Sequence, residues 1–203
     1  IPYSFIYVAP GTPTVRLSLE TNAQLTAGKT AEVKMQLRTT DGAPVTESDL
    51  LVVHTRPVHL LITDQALSTF QIAHPVPAAA PGDYTFSFTP TVSGPCRIWA
   101  EIVPAATGLQ ELPFADIGGS FVPAEQKGTA QVFTTKIDGF TFQLSFAGGG
   151  SGSQVHERQI QLMRVQVTDA AGQPVKRLEP FMNAFAHVTG FYTDHKTVLR
   201  LHP

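Results

Sequence analysis

Residues 59–75 of the chain read His59-Leu-Leu-Ile-Thr-Asp-Gln-Ala-Leu-Ser-Thr-Phe-Gln-Ile-Ala-His74-Pro75. The pattern returns at residues 187–203 as His187-Val-Thr-Gly-Phe-Tyr-Thr-Asp-His-Lys-Thr-Val-Leu-Arg-Leu-His202-Pro203. In both copies the second histidine follows the first by fifteen positions and is followed directly by proline. Two upstream turns also match, Asp41-Gly-Ala-Pro-Val45 and Ala171-Gly-Gln-Pro-Val175. The chain is therefore predicted to be a diverged tandem repeat.

Each copy has the pattern of a β-hairpin. In the first copy, short runs of apolar and β-branched residues at 59–63 and 68–73 flank a turn. The turn can be centred between Gln65 and Ala66 or one residue later, between Ala66 and Leu67. The later centre places His59 directly opposite His74, and the equivalent register pairs His187 with His202, whereas a slip of one residue would put the two histidines on opposite faces. Directly opposed residues on antiparallel strands have Cβ atoms about 4.5–5.5 Å apart. Each histidine pair is therefore expected to share a hydrogen bond or to bind one metal ion.

The composition favours an all-β protein. The 203 residues include 16 glycines and 16 prolines, and no stretch shows a sustained helical apolar period. Charged residues make up 15% of the chain and the formal net charge is -2, so the broad basic surface typical of nucleic-acid binding is missing. No apolar run approaches the roughly 20 residues of a membrane-spanning helix. We therefore expect neither a nucleic-acid partner nor a membrane span.

The repeat predicts two tandem immunoglobulin-like β-sandwich domains. Residues 14–104 form the first domain, 105–129 a linker rich in Ala, Gly and Pro, and 130–203 the second domain. The second copy lacks a counterpart of the strands that follow His74, so we expect it to be incomplete, with a hydrophobic face and an unpaired edge to cover. Either the natural chain continues, or another segment supplies the cover. The N-terminal strand at 1–13, strand exchange and a homodimer are the candidates.

The sequence carries no recognisable catalytic signature, and we predict that the protein is not an enzyme. There is no Gly-x-Ser-x-Gly nucleophile elbow and no strand-to-helix unit to hold one. The single cysteine, Cys96, excludes an intramolecular disulfide and is expected to be a buried thiol. No histidine follows Cys96 until His156, which excludes a blue-copper site.

Five histidines are candidate metal ligands: His59, His74, His54, His187 and His202. His59 and His74 are the best pair, and His54 is the candidate third ligand. Imidazole nitrogen suits copper and zinc, which are therefore the candidate cofactors. The alternative is a structural staple, in which one imidazole of each pair donates a hydrogen bond to the other or to a carbonyl. The remaining two histidines, His195 at a turn and His156 beside a Gly-Ser loop, are expected to be solvated.

These motifs resemble the YtkA-like family and related β-sandwich modules of exported bacterial proteins. The matching residues of the first copy are Gly42-Ala-Pro-Val45, His59 with the apolar residues after it, Asp64 to Phe70, His74-Pro75, Gly82-Asp-Tyr84 and Gly94-Pro-Cys-Arg-Ile-Trp-Ala100. Those of the second copy are Gly172-Gln-Pro-Val175, Leu178-Glu-Pro180, His187 and Leu201-His-Pro203. The resemblance implies a periplasmic or extracellular β-sandwich, and some of these modules sit beside copper-handling functions. The family pattern often has a further histidine two places before the His-Pro step. Ile72 and Arg200 occupy those positions here, which departs from a metal-binding pattern.

The predicted function is non-enzymatic binding or scaffolding in the bacterial cell envelope, with an envelope protein or a small ligand as the partner. A copper- or zinc-binding accessory protein is the alternative. Adhesion or glycan binding is a further alternative that rests on fold analogy, with Tyr3, Tyr7, Trp99 and Tyr192 as candidate contact residues. An export signal is expected to have been removed or to lie outside the given chain.

Overall fold

The computed structural model describes residues 13–124, 133–147, 162–181, 184–192 and 194–201, and these residues form an all-β fold. The strands are β1 (Val15–Glu20), β2 (Ala31–Thr39), β3 (His59–Asp64), β4 (Phe70–Ala73), β5 (Val76–Pro77), β6 (Asp83–Phe88), β7 (Cys96–Glu101), β8 (Phe114–Ile117), β9 (Thr134–Ile137), β10 (Phe140–Ala147), β11 (Leu162–Thr168), β12 (Val188–Phe191) and β13 (Val198–Leu201). A 3-10 turn, Glu47–Asp49, precedes β3. In the described residues, no helix has the length and apolarity needed to cross a membrane. The predicted all-β class is confirmed.

Two four-stranded antiparallel sheets, ordered β1-β2-β6-β5 and β4-β3-β7-β8, pack face to face. Burial alternates along β2, because Val33, Met35 and Leu37 point inward while the residues between them meet solvent. They share one apolar core with Leu60 and Ile62 of β3, which belongs to the opposite sheet. This arrangement is a β-sandwich. Its immunoglobulin-like character remains a prediction.

The sandwich extends into the region that was expected to be a linker. Residues 114–117 form β8, which pairs with β7 so that Phe114 lies opposite Trp99. The expected linker 105–129 is therefore wrong over these residues. Its content of Ala, Gly and Pro concealed a short edge strand, whose four residues are too few to show a clear alternation.

Both faces of the sheet that contains β3 and β7 are covered. Every residue of these two strands is buried, whereas a two-layer sandwich would leave one face in water. The outer cover is the hairpin of β12 and β13, which we call the second hairpin. Leu61 and Trp99 of the sheet form a second apolar cluster with Val198, and Phe191 packs against it. The indole Nε1–H of Trp99 also donates a 3.1 Å hydrogen bond to the carbonyl of Lys196.

A buried ion pair joins the second hairpin to the sandwich. Arg200 Nε donates to Glu101 Oε2 at 3.1 Å, and the two side chains are 1% and 4% exposed. The other carboxylate oxygen of Glu101 accepts from Gln110 Nε2 at 2.6 Å, and Arg200 Nη1 donates to Thr189 Oγ1 at 2.6 Å. Because the charges are desolvated and hydrogen bonded, either partner would be costly to remove alone.

The turn of the second hairpin also docks on the sheet. Arg97 Nη1 donates to the carbonyl of His195 at 2.7 Å, while its guanidinium lies 4.5 Å from the ring centroid of Phe114 and 4.4 Å from that of Phe121. His195 is 1% exposed, so the expectation that it is solvated was wrong. A hairpin turn normally faces water, but this one faces the neighbouring sheet. His156 lies outside the described residues.

The chain divides into two compact units, and the division differs from the expected one. Unit 1 comprises Ile1–Gln126 with Pro180–Pro203, and unit 2 comprises Lys127–Glu179. The expected second domain, 130–203, is split, because the second hairpin packs on Trp99 in unit 1. In unit 2, β9, β10 and β11 form a three-stranded antiparallel sheet with β10 in the centre. The expected N-terminal strand at 1–13 lies outside the described residues except for its last residue.

The repeat is visible in local backbone geometry. Val45 N–H donates to the carbonyl of Leu37 in the first copy, and Val175 N–H donates to that of Val167 in the second, both at 3.0 Å. At equivalent positions of the two hairpin turns, Leu67 and His195 have φ angles of 54° and 53°, a left-handed conformation uncommon for such residues. The two copies therefore share local conformations although they pack in different places.

Removal of the Arg200 charge should loosen the second hairpin. We expect Arg200→Met to lower the free energy of unfolding by about 3–5 kcal/mol, because the buried Glu101 carboxylate loses its counter-ion. The double variant Glu101→Gln with Arg200→Met should regain much of that loss. Urea unfolding of the full chain measures both, with Arg164→Met on an exposed strand position as the control. Equal effects of Arg200→Met and Arg164→Met would contradict the expectation.

Candidate functional site

The first histidine pair meets as its register predicts. β3 and β4 pair with Leu60 opposite Ala73, which places His59 opposite His74 at the end of the ladder. His59 Nδ1 lies 3.0 Å from His74 Nε2, and the ring centroids are 5.0 Å apart. His59 is 1% exposed, whereas His74 is partly exposed. The predicted contact of these two imidazoles is confirmed.

The hydrogen-bond partners of His59 fix the direction of this contact. His59 Nε2 lies 2.8 Å from the carbonyl oxygen of Val53, which can only accept, so Nε2 carries the proton. In the neutral ring Nδ1 is then the acceptor, and His74 Nε2–H is the donor. Both nitrogens of His59 are therefore engaged, as the structural staple requires.

A tight turn supplies the carbonyl that holds His59. Val53 and Arg56 exchange backbone hydrogen bonds of 3.1 and 3.2 Å, and the residues between them, His54 and Thr55, have φ angles of 50° and 76°. Two positive φ angles in a two-residue turn give the type I′ geometry, which usually requires glycine or asparagine. Such strain in two side-chain-bearing residues persists only where the surroundings hold it.

The second hairpin repeats much of this arrangement. Val188 lies opposite Leu201, a register that again places the two terminal histidines opposite each other. His187 Nε2 donates to the carbonyl of Phe181 at 2.8 Å, as His59 does to Val53, over the same six-residue spacing. Phe181 and Ala184 also form a bridge equivalent to that of Val53 and Arg56. His202 lies outside the described residues.

The two hairpins bring their histidines into one cluster, which we call the histidine cluster: His54, His59, His74 and His187. The His54 ring centroid lies 6.4 Å from that of His59 and 5.4 Å from that of His187. His54 therefore joins the two copies. The sequence placed these copies in separate domains and gave no sign of this contact. The fifteen-residue spacing of the histidines marked each pair, but only the docking of the second hairpin on Trp99 brings the two pairs together.

The described members of the histidine cluster do not present a ready metal site. Within the described ranges, no group of three or more His, Cys, Asp or Glu residues is placed to hold a metal ion. Both nitrogens of His59 already have partners. Arg200, which raised doubt about metal binding near the second pair, directs its charge to Glu101. The geometry therefore fits a hydrogen-bonded staple directly, whereas metal binding would require rearrangement.

Other predicted site residues lie apart from the histidine cluster. Trp99 is fully buried and has no surface for a glycan, whereas Tyr192 is half exposed. Tyr3 and Tyr7 lie outside the described residues. Burial, together with the charge of Asp64, raises the pKa of the Cys96 thiol to about 11, in keeping with the buried, unreactive cysteine that was expected.

Neither a family model, nor a curated protein, nor a solved structure matches the chain. The resemblance to YtkA-like modules therefore stays a prediction that rests on the short motifs quoted above.

The staple predicts a stability that depends on pH. Burial lowers the pKa of His74 from its ordinary value of 6.5, and the charges of His59 and Arg56 lower it further. The unfolded chain then binds this proton more readily than the folded chain, so stability is greatest above pH 6.5 and is lost as pH falls through the lowered folded value. We expect His74→Gln, whose amide N–H can still donate to His59, to flatten this loss. Urea unfolding at a series of pH values measures it, and an unchanged slope in the variant would refute the assignment.

Proposed function

We propose that the protein is a non-enzymatic binding or scaffold protein of the bacterial cell envelope. We further propose that it binds a protein partner through one face of the unit 2 sheet. The location in the envelope rests on the resemblance to exported YtkA-like modules. The mode of binding rests on a single observation, the apolar face of that sheet, on which Ile137, Phe140 and Val165 are exposed.

Strand pairing places apolar side chains together on one side of unit 2. Phe142 lies opposite Val167, Leu144 opposite Val165, and Phe146 opposite Met163 across β10 and β11. Directly paired residues share a face, so strand register defines the full surface. We call this surface the apolar sheet face, and it consists of Phe133, Thr135, Ile137, Phe140, Phe142, Leu144, Phe146, Met163, Val165 and Val167.

The reverse side of the same sheet has the opposite character. Its described side chains from β9 to β11 are polar: Thr134, Lys136, Thr141, Gln143, Ser145, Arg164, Gln166 and Thr168. An antiparallel sheet with one apolar and one polar face normally buries the apolar face. Here Ile137, Phe140 and Val165 remain 54%, 41% and 45% exposed. A contiguous apolar patch of this kind is typical of a surface that binds a protein, a membrane or a ligand, and it supports the proposal of a protein partner.

Site-specific photo-crosslinking tests the proposal. A photoreactive phenylalanine analogue in place of Phe146 on the apolar sheet face should form protein adducts when intact cells that export the full chain are irradiated. The same analogue at Gln143, three positions earlier on the polar face, is the matched control and should form few. Equal yields at both positions, or none at either, would refute binding through this face. Fractionation of the same cells tests the envelope location.

Metal binding is a second candidate, favoured by the convergence of the histidine cluster. The 3.0 Å separation of His59 Nδ1 and His74 Nε2 is close to the roughly 3.3 Å between two nitrogens bound tetrahedrally to zinc at about 2.0 Å. A shift of the His74 proton to its other nitrogen would give both facing atoms a lone pair. His54 and His187 are the neighbouring imidazoles that could complete such a site.

Thermal unfolding separates this candidate from the staple. If metal binds, one equivalent of copper(II) or zinc raises the melting temperature, because a ligand that binds only the folded state stabilises it. The variant with His59→Ala and His74→Ala should abolish the rise, whereas His156→Ala should retain it. If metal does not change the melting temperature, metal binding is refuted, and the role of His59 and His74 is the hydrogen-bonded staple.

A further inference from the structure

We propose that the apolar sheet face binds the same face of a second copy of the chain, so that two unit 2 sheets form one sandwich across a twofold axis. This inference rests on the proposed function, because it names the partner of that surface. It also gives a role to the homodimer considered among the sequence-based alternatives.

The need for a constant cover favours a second copy over an occasional partner. None of the described side chains of unit 2 is fully buried, as core side chains are. A three-stranded sheet becomes stable when its hydrophobic face is packed against another element. A second copy is present wherever the chain is made, whereas a different protein would leave this sheet uncovered until the two met.

The dimensions of the face favour a sheet over a single strand as its cover. Three strands about 4.8 Å apart span roughly 14 Å, and the face is about 24 Å long over β10 and β11 but only about 14 Å long over the four residues of β9. One extended segment would cover a strip only about one strand wide. A second three-stranded sheet has the same width and length, and two sheets pack face to face at about 10 Å.

The chemistry of the face also suits self-association. It contains no charged residue, and Thr135 is its one polar member. Two copies of such a face can therefore meet without burying an unpaired charge, whereas a partner with a charged surface would have to desolvate its ions. A twofold axis makes the contact self-complementary and closed, which avoids growth into filaments.

The size of the face sets the expected strength of the dimer. Roughly 300 Å² of plan area per copy, before side-chain relief is counted, is below the roughly 600 Å² per partner found at the weak end of specific protein interfaces. We therefore expect a dimer that dissociates at micromolar concentrations rather than a permanent one. Side chains on the polar reverse face should contribute nothing to it.

Sedimentation velocity of the full chain tests the proposal. The wild-type chain should pass from monomer to dimer as its concentration rises through the micromolar range. Leu144→Lys should weaken self-association at least about tenfold, because two lysines would meet at the centre of the interface. Gln143→Lys, the neighbouring position on the polar face, should leave it unchanged. A chain that stays monomeric throughout, or equal effects of both variants, would overturn the proposal.

Disulfide trapping keeps the test decisive if the lysine variant unfolds unit 2. Cys96 is buried with a raised pKa, so an introduced thiol is the reactive one. Leu144→Cys should form a covalent dimer under mild oxidation, and Gln143→Cys should not. A Leu144→Cys thiol that reacts only after residues 1–12 are removed would assign the face to the N-terminal segment and overturn the dimer. Photo-crosslinks from Phe146 to a different protein alone would also overturn it, while leaving the proposed function intact.

Discussion

The burial of β7 on both faces is the constraint on which the rest of unit 1 depends. One face of this strand contributes Ile98 and Ala100 to the core between the two sheets, and the other carries Trp99. An indole of this size cannot lie against water without a large loss of hydrophobic free energy, so the chain must bring back a second layer to cover it. The second hairpin is that layer. Its docking also desolvates Glu101 and Arg200 and brings His187 beside His54.

Local features of the fold could be predicted from the sequence because they depend on short-range patterns. The apolar runs around residues 64–67 predicted a hairpin with two possible turn centres, and the structure has the one that places His59 opposite His74. The equivalent register of the second hairpin followed from the repeat. The packing of the second hairpin could not be predicted from the repeat. A sequence repeat predicts that the two copies share a local conformation, but it does not predict the surface on which each copy packs. Two charged residues in β7 do not indicate burial in the sequence, yet both are buried: Arg97 pairs with Asp116 and Glu101 pairs with Arg200.

The histidine cluster follows the same logic. Each hairpin fixes its first histidine through a carbonyl six residues earlier, and this contact is local. The contact of His54 with His187 is long range and depends entirely on where the second hairpin docks.

In unit 2, the alternation along β10 and β11 defines an apolar side of the sheet. No fully buried side chain lies on this side among the described residues. The sequence of unit 2 therefore indicates which residues form the apolar sheet face. The partner of that face is inferred from the size of the face and from its lack of charge.

The fluorescence of Trp99, the single tryptophan of the chain, tests the central claim most directly. If the second hairpin covers Trp99, the full chain shows blue-shifted emission that iodide barely quenches, and a chain that ends at Glu179 shows red-shifted, readily quenched emission. Near-identical spectra and quenching in the two chains would contradict the account, because Trp99 would then be covered without the hairpin, or not at all.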